Sequence, residues 1–291
     1  MRDLAGRVAV ITGATGGLGS ALARRFAGAK MKIVLADLDA DALSRAVNEL
    51  ERGGTDAIGV RTDVRKAADV EALAARTLEA FGAVHVVCNN AGVAPVGAAW
   101  ESTTADWEWV LGVNLWGVIH GVRVFTPIML DQGGDGHIVN TASVAGLIAP
   151  PGMAAYNVSK HAVVALTESL HHDLVARDAK VRCSVVCPAY FRSGIADSEQ
   201  TRPVELAKSV SAKSDAQRTL EANLRKAVMA GKLSADDIAA AVVDAVREDR
   251  FYVLTHPRIK PAIEWRMLDI LAERTPTDPM RGPQREGKSG A

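Results

Sequence analysis

The sequence predicts a doubly wound α/β fold, in which helices cover both faces of a parallel sheet. Short apolar runs alternate with longer stretches of helical periodicity as far as Pro188, and a glycine-rich turn joins the first run to the first helical stretch. Alternation of this kind gives parallel strands connected by right-handed helical crossovers. A chain of 291 residues can form one such domain.

The apolar runs, taken in order, predict seven strands. Such runs suit strands buried on both faces, and they lie at 8–12, 32–36, 57–61, 84–88, 137–141, 181–186 and 251–254. Helices are predicted at 20–27, 40–51, 66–80, 105–130, 154–176 and 234–248. In an open sheet of this type, ligands bind beyond the carboxyl ends of the strands.

The turn after the first strand predicts a dinucleotide site of the Rossmann type. Glycines permit a tight turn and a close approach of the backbone to a pyrophosphate, which lies at the helix N-terminus. The spacing is Gly-x-x-x-Gly-x-Gly rather than the commoner G-x-G-x-x-G, and a flexible loop without a ligand is the alternative. The predicted cofactor contacts in this turn are Gly13, Thr15, Gly17, Leu18 and Gly19.

The end of the second strand favours NAD over NADP. Asp37 stands there, where a carboxylate can accept hydrogen bonds from ribose hydroxyls and would repel the 2′-phosphate of NADP. Leu38 follows at a position where an arginine could have bound that phosphate. Arg24 and Arg25, in the first helix, are the residues that could still favour NADP, although charges at such positions are commonly solvated.

Tyr156 and Lys160 predict acid/base chemistry. Residues four apart share one face of a helix, so the ammonium can sit beside the phenol. A free phenol has a pKa of about 10, and we expect the nearby cation to lower it. Ser143, upstream of the pair, could hold the substrate oxygen, although helix capping is a competing role. Taken alone, the pair would be better explained as two exposed residues on a helix.

These motifs together resemble the compact branch of the short-chain dehydrogenase/reductase family, from about Arg7 to Ile195. The resemblance rests on the glycine turn, on Asn89-Asn90-Ala91-Gly92 after the fourth strand and on Asp63-Val64. It rests also on four residues in the order of the family's catalytic tetrad, which are Asn114, Ser143, Tyr156 and Lys160.

The resemblance implies a role for each motif. Asp63 and Val64 would contact the adenine, and Lys160 would also bind the nicotinamide ribose. Asn114 would anchor a water that relays protons from Lys160. Further cofactor contacts are expected at Asn90, Ala91, Gly92, Pro188 and Ser193. Two positions depart from the family pattern, since Ala189 stands where glycine is usual and His85 where aspartate is common.

The expected reaction is the NAD-dependent interconversion of a secondary alcohol and a ketone. Ser143, Ala145, Tyr156 and Tyr190 are predicted to touch a hydrophobic or bulky substrate, because the neighbouring residues are largely apolar. A nucleotide-sugar epimerase or dehydratase is one alternative, disfavoured by the glycine spacing. A non-catalytic NAD-binding regulator is another. The resemblance also implies a homo-oligomer, either a tetramer or a dimer.

Composition narrows the class of protein further. Lys plus Arg and Asp plus Glu number 34 each, so nothing points to nucleic acid or an anionic membrane. No apolar stretch is expected to reach the roughly 20 residues that cross a bilayer. Three cysteines in or next to apolar runs indicate core residues, and no metal site is predicted. We expect a cytoplasmic protein without a signal peptide.

The last third of the chain is expected to complete one domain over residues 1–274. The segment 195–232 changes to a polar character and is predicted to be a substrate lid, with an ordinary surface excursion as the alternative. Residues 257–274 are predicted to form a C-terminal helical extension. The tail 275–291, rich in Pro, Gly and charge, is expected to be disordered.

Overall fold

A parallel sheet of seven strands forms the centre of the molecule. The computed structural model describes residues 1–207 and 214–283. Its strands are β1 (Val8–Thr12), β2 (Lys32–Asp37), β3 (Ala57–Arg61), β4 (Val86–Asn89), β5 (Gly136–Thr141), β6 (Val181–Val186) and β7 (Tyr252–Val253). Their order is β3-β2-β1-β4-β5-β6-β7, and every neighbouring pair is parallel. The predicted fold class is therefore confirmed, with its switch point between β1 and β4.

Nine α-helices flank the sheet in the described part of the chain. They are α1 (Gly17–Gly28), α2 (Ala40–Arg52), α3 (Ala67–Phe81), α4 (Thr104–Leu111), α5 (Gly117–Asp131), α6 (Ala154–Ala176), α7 (Asp215–Met229), α8 (Ala235–Glu248) and α9 (Lys260–Leu271). A π-helical turn, Gly112–Trp116, joins α4 to α5 without a break. Short 3-10 turns lie at Val144–Gly146, Gly194–Thr201, Val204–Leu206 and Pro257–Ile259.

Different helices cover the two faces of the sheet. On one face, Ile11 of β1 belongs to a buried cluster with Phe26 of α1 and Val242 of α8. On the other face, Val10 lies in a cluster with Leu73 of α3 and Phe125 of α5. Burying a large apolar side chain contributes about 1.5–3 kcal/mol, so both layers hold the sheet firmly. The loops at its carboxyl edge are thereby fixed relative to one another.

Several elements differ from their predicted bounds. The helix expected at 105–130 contains the π-turn, and the final strand is reduced to Tyr252–Val253. The segment 195–232 holds a full helix, α7, that was not predicted. Its N-terminus is closed by a capping box in which Ser214 and Gln217 bond reciprocally. Residues 208–213 of the expected lid lie outside the described residues.

The helical span Thr104–Asp131 also corrects an expectation from the sequence. This span of 28 residues is, by length and composition, long and apolar enough to cross a membrane. In the fold this span packs against α3, α6 and strands β4 and β5. The apolar composition of this span is therefore explained by its packing inside the domain, as for the core helix of a globular protein.

The C-terminal segment folds back on α9 as far as the structure describes it. The backbone N–H of Thr277 donates to Asp269 at 2.8 Å, and Gly282 lies against the ring of Trp265. Part of the expected disordered tail, 275–283, is therefore placed by contacts. The remainder, 284–291, lies outside the described residues.

Candidate active site

The carboxyl ends of β1, β4, β5 and β6 converge on one rim, which carries the predicted site residues. Hydrogen bonds tie the first two strand ends together. The Thr12 hydroxyl accepts from the backbone N–H groups of Asn90 and Ala91, at 2.9 and 3.1 Å. The Asn90 side-chain amide donates a hydrogen bond to the Thr12 carbonyl at 3.0 Å. These hydrogen bonds fix the glycine turn beside the segment Asn89–Gly92.

The backbone of the glycine turn packs too closely for side chains at two of its positions. A Cβ at Gly19 would lie 2.0 Å from the Gly13 carbonyl oxygen, and one at Gly13 would lie 2.9 Å from the Cα of Ala91. Gly17 has a φ of 49°, a conformation that glycine adopts without strain. Gly16 caps α1 without a side-chain hydrogen bond, so the first backbone N–H groups of α1 have no capping oxygen. This geometry fits a pyrophosphate at a helix N-terminus.

Asp37 lies at the edge of this turn. One carboxylate oxygen accepts from the backbone N–H and the hydroxyl of Thr15, at 3.0 and 2.8 Å. The other accepts from the backbone N–H of Leu38 at 2.8 Å. The carboxylate is therefore held in one orientation, with its negative charge beside the turn. Such a charge suits ribose hydroxyls and opposes a phosphate.

The pair Asp63-Val64 is placed beyond β3. Burial would raise the pKa of Asp63, but hydrogen bonds and the charge of Arg65 hold it below its usual range. Arg65 contacts Asp63 at 2.7 Å and Glu205 at 3.1 Å. Val64 packs under Gly117, where an added Cβ would come within 2.8 Å of its side chain. Through Arg65, the pair expected to contact the adenine is thus linked to Glu205, in the segment expected to be a lid.

Asn114 is fully buried within the π-turn. Its amide oxygen accepts from the backbone N–H of Val93 at 2.8 Å, and its amide nitrogen donates to the Val93 carbonyl and to Ser159. A π-turn re-aims a side chain that a regular helix would point elsewhere. Asn114 therefore joins the loop after β4 to α6, and Gly92 lies between it and Lys160.

Tyr156 and Lys160 share one face of α6, but their protonation differs from the expectation. Burial raises the pKa of Tyr156 to about 12, opposed by a hydrogen bond to Ser143. Burial also lowers the pKa of Lys160 to about 8. The ammonium donates to the Thr141 carbonyl at 2.7 Å and lies 5.7 Å from the tyrosine ring centre. The expected lowering of the Tyr156 pKa by Lys160 is not found: burial is the largest cause of its shift, and the group that lowers this pKa is Ser143.

Ser143 takes up the capping role, one of the two that the sequence left open. Its oxygen accepts from the backbone N–H of Ala145 at 3.1 Å, which caps the turn Val144–Gly146. Its hydroxyl donates to the Pro188 carbonyl at 3.3 Å. The same side chain is hydrogen-bonded to Tyr156. Capping thus orients the serine toward the tyrosine, while Ala145 itself is buried in the turn.

The segment after β6 closes the site on its other side. Ser193 faces the glycine turn, since a Cβ at Gly17 would lie 3.5 Å from the Ser193 Cβ. Tyr190 packs with Tyr156 against a buried apolar cluster that includes Ala94 and Met153. Burial raises the pKa of Tyr190, so it is a neutral hydrogen-bonding group at the edge of an apolar surface.

Helix α7 supplies part of that apolar surface and was missed from the sequence. Leu224 and Val228 belong to the same cluster as Met153, and Leu220 lies against Gly152. The spacing of these three residues is four, the period of one helix face. That stripe, together with the capping box at Ser214, is the signal that could have revealed the helix.

The first part of the expected lid is anchored by ionic contacts. Arg202 pairs with Asp106 at 2.5 Å and lies 4.1 Å above the ring of Trp109. Only 6% of its side chain and 8% of that of Asp106 are exposed. The Ser198 hydroxyl accepts from the backbone N–H of Ala94 at 3.1 Å. Residues 194–207 are therefore attached to α4 and to the loop after β4.

Other residues considered from the sequence take structural positions. His85 accepts a hydrogen bond from the backbone N–H of Val8 at 3.1 Å and so extends the pairing of β1 with β4. The three cysteines are free and buried. No cluster of potential metal ligands occurs among residues 1–207 and 214–283.

Comparisons with known proteins place the chain among oxidoreductases. The family model for short chain dehydrogenase matches residues 7–203. A short chain dehydrogenase/reductase from Burkholderia phymatum, solved in complex with NAD, is 51% identical, with a TM-score of 0.94 over 98% of this chain and 100% of the other. The CLA biosynthesis dehydrogenase/reductase of Lactiplantibacillus plantarum is 33% identical over 95% of this chain and 97% of its own. The 1-deoxy-11-beta-hydroxypentalenate dehydrogenase of Streptomyces avermitilis is 38% identical over 85% and 84%.

Proposed function

Because the chain belongs to the short-chain dehydrogenase/reductase family, we propose that it is an NAD-dependent oxidoreductase acting on a hydrophobic secondary alcohol or ketone. The observation that carries this proposal is the meeting of Ser143, Tyr156 and Lys160 at the rim that also holds the glycine turn. Proton-transfer groups beside a dinucleotide turn are what hydride transfer to or from a carbonyl carbon requires.

NAD is the cofactor that the residues fit. The glycine turn would hold the pyrophosphate, and Asp37 the adenosine ribose. The adenine would lie by Asp63 and Val64, and the nicotinamide half by Asn90, Ala91, Gly92, Lys160, Pro188 and Ser193. The bound NAD of the Burkholderia phymatum protein supports the same choice. When bound, NAD supplies the hydride acceptor, and the chain's own residues handle the proton.

Tyr156 would exchange the proton of the substrate oxygen. With its pKa raised to about 12, the phenol is protonated at neutral pH and can donate to a ketone oxygen. In the direction of oxidation, the phenolate must accept the alcohol proton, and nearby positive charge favours that form. Lys160, whose pKa is lowered to about 8, is still mostly charged at neutral pH and can supply it.

Ser143 would hold the substrate oxygen and stabilise charge that develops there. The Ala145 N–H and the Pro188 carbonyl hold its oxygen in place, and the hydroxyl proton must turn from the Pro188 carbonyl to the substrate oxygen to stabilise that charge. The apolar cluster of Ala94, Met153, Leu224 and Val228 beside Tyr156 and Tyr190 supports a hydrophobic substrate. The relative from Streptomyces avermitilis is named for a hydroxylated substrate, 1-deoxy-11-beta-hydroxypentalenate.

The test is absorbance at 340 nm with purified protein, NAD or NADP, and a panel of hydrophobic secondary alcohols and their ketones. We expect turnover with NAD and a loss of about 100-fold or more in Tyr156→Phe, without loss of NAD affinity. Tyr252→Phe is the matched control, because that phenol is exposed and bonded to Glu168. Full activity in Tyr156→Phe would refute the assigned role.

We propose that the protein also assembles as a homo-oligomer. Trp116 and Val158, on the two long helical spans, are 52% and 49% exposed. Large apolar side chains left on neighbouring helices are typical of a surface that a second copy covers. Light scattering coupled to size exclusion would give the mass, and a monomer of 30.7 kDa would contradict the proposal.

A further inference from the structure

The peptide unit between Pro188 and Ala189 is bonded at both of its polar groups. Its carbonyl oxygen accepts from the Ser143 hydroxyl at 3.3 Å and from the backbone N–H of Val144 at 3.0 Å. Its N–H donates to Nδ1 of His256 at 3.1 Å. One planar amide thus joins the turn that carries Ser143 to a histidine in the last part of the chain.

The position of His256 follows from the pairing of β6 with β7. The backbone N–H of Cys187 donates to the Val253 carbonyl at 3.0 Å, which brings the residues after β7 alongside the residues after β6. His256 then precedes the 3-10 turn Pro257–Ile259 that leads into α9. The C-terminal extension, residues 257–274, therefore follows directly after a residue in contact with the active-site rim.

The hydrogen bond defines the form of the histidine ring. A backbone N–H can only donate, so Nδ1 of His256 must be unprotonated and the proton of the neutral ring lies on Nε2. The hydroxyl of Thr255, 2.9 Å from Nδ1, lies against the same atom. Nε2 is buried and has no bonding partner among the described residues. Burial also lowers the pKa of His256, in keeping with the neutral ring.

This bond acts on two parts of the site at once. An acceptor on the N–H of an amide polarises it and strengthens its carbonyl as an acceptor, here toward the hydroxyl of Ser143. The chain that continues from the same peptide carries Tyr190 and reaches Ser193, which faces the glycine turn. The orientation of this peptide unit therefore affects both the position of the Ser143 hydroxyl and the path of the segment 188–193.

We propose that His256 is a positioning residue, which holds the Pro188–Ala189 peptide and through it orients Ser143 and the segment 188–193 toward the nicotinamide half of the cofactor. A role of His256 in turnover rests on the proposed function, whereas its effect on nucleotide binding can be measured without turnover.

The matched variants are His256→Asn and His256→Leu, which are nearly equal in shape. The Asn side chain places an amide oxygen where Nδ1 stands, whereas Leu places a methyl group there and leaves the Ala189 N–H without its acceptor. His256→Gln, whose oxygen reaches the Nε2 position instead, is a second variant without an acceptor at Nδ1. Dissociation constants would be measured for NADH, by its fluorescence, and for ADP-ribose, by calorimetry.

We expect His256→Leu and His256→Gln to bind NADH roughly tenfold more weakly, because the released peptide must be ordered when the nucleotide binds, at about the cost of one buried hydrogen bond. ADP-ribose, which lacks the nicotinamide, should bind each variant as it binds the wild type, and His256→Asn should bind NADH normally. Equal NADH affinity in all variants would overturn the proposal, as would a parallel loss of both nucleotides. If His256→Leu does not fold, His256→Gln decides the result. Absence of turnover with every alcohol would count against the proposed function alone.

Discussion

The burial of Lys160 can be tested quantitatively through its effect on the free energy of unfolding. Among the described residues, no carboxylate pairs with its ammonium. Only 2% of the residue is exposed, and its polar contact is the Thr141 carbonyl. Burial lowers its pKa from 10.5 to about 8. Folding therefore favours the neutral amine, and below a pH of about 8 the folded protein must bury a charge.

The sign and size of the effect follow from proton linkage. Between the two pKa values the unfolded chain binds more protons than the folded one, so the free energy of unfolding rises with pH. The interval from 10.5 to about 8 corresponds to about 3.4 kcal/mol in total. From a pH of about 7.5 to about 9.5, the folded protein should gain about 2 kcal/mol from this residue. Tyr156 acts oppositely only above a pH of about 10, where the unfolded phenol ionises first.

The measurement is urea unfolding of the wild type and of Lys160→Met at these two pH values, without added nucleotide. Subtracting the two free energies cancels the groups that titrate in both proteins. The difference should shift by about 2 kcal/mol in favour of the wild type as the pH rises. Lys180→Met, at an exposed lysine, controls for the general effect of the substitution. Parallel pH curves for wild type and Lys160→Met would refute the reasoning.

Three further predictions concern the cofactor turn and the segment expected to be a lid. Asp37→Asn should raise the ratio of NADP to NAD affinity at least about tenfold, because the repelling charge is gone; an unchanged ratio in calorimetric titrations would contradict this. Gly19→Ala should abolish measurable NAD binding, since its Cβ would lie 2.0 Å from a carbonyl oxygen of the turn, whereas Gly28→Ala, with open space around it, should bind normally. Arg202→Met should lower the free energy of unfolding by about 3 kcal/mol, the usual cost of breaking a buried ion pair. Arg225→Met, whose ion pair has a side chain 62% exposed, should cost less than about 1 kcal/mol; equal losses in urea unfolding would show that the Arg202 contacts add nothing.

The elements with strong local signals were predictable. The alternation of apolar runs with helical stretches fixed the parallel sheet, and α6 occupies the predicted span 154–176. Local signals failed where tertiary contacts decide. Helix α7 is polar on most of its surface, and its stripe of Leu220, Leu224 and Val228 has meaning only against Gly152 and Met153 across the site.

The chemistry of the site divides in the same way. Which residues could move a proton was readable from residue types and spacing, since Tyr156 and Lys160 must share a helix face. The pKa values of these groups could not be predicted from the sequence, because a pKa depends on desolvation, and burial is a property of the whole fold. The same holds for His256, which lies 67 residues from Ala189 along the chain.

By itself, then, the sequence determined the sheet, the glycine turn and the candidate proton-transfer groups, because each depends on residues close together in the chain. The tertiary structure decided the direction of the Tyr156 pKa, the apolar surface supplied by α7 and the contact of His256 with the Pro188–Ala189 peptide. Each of these depends on groups distant in the chain that meet only when the strands pair and the helices pack.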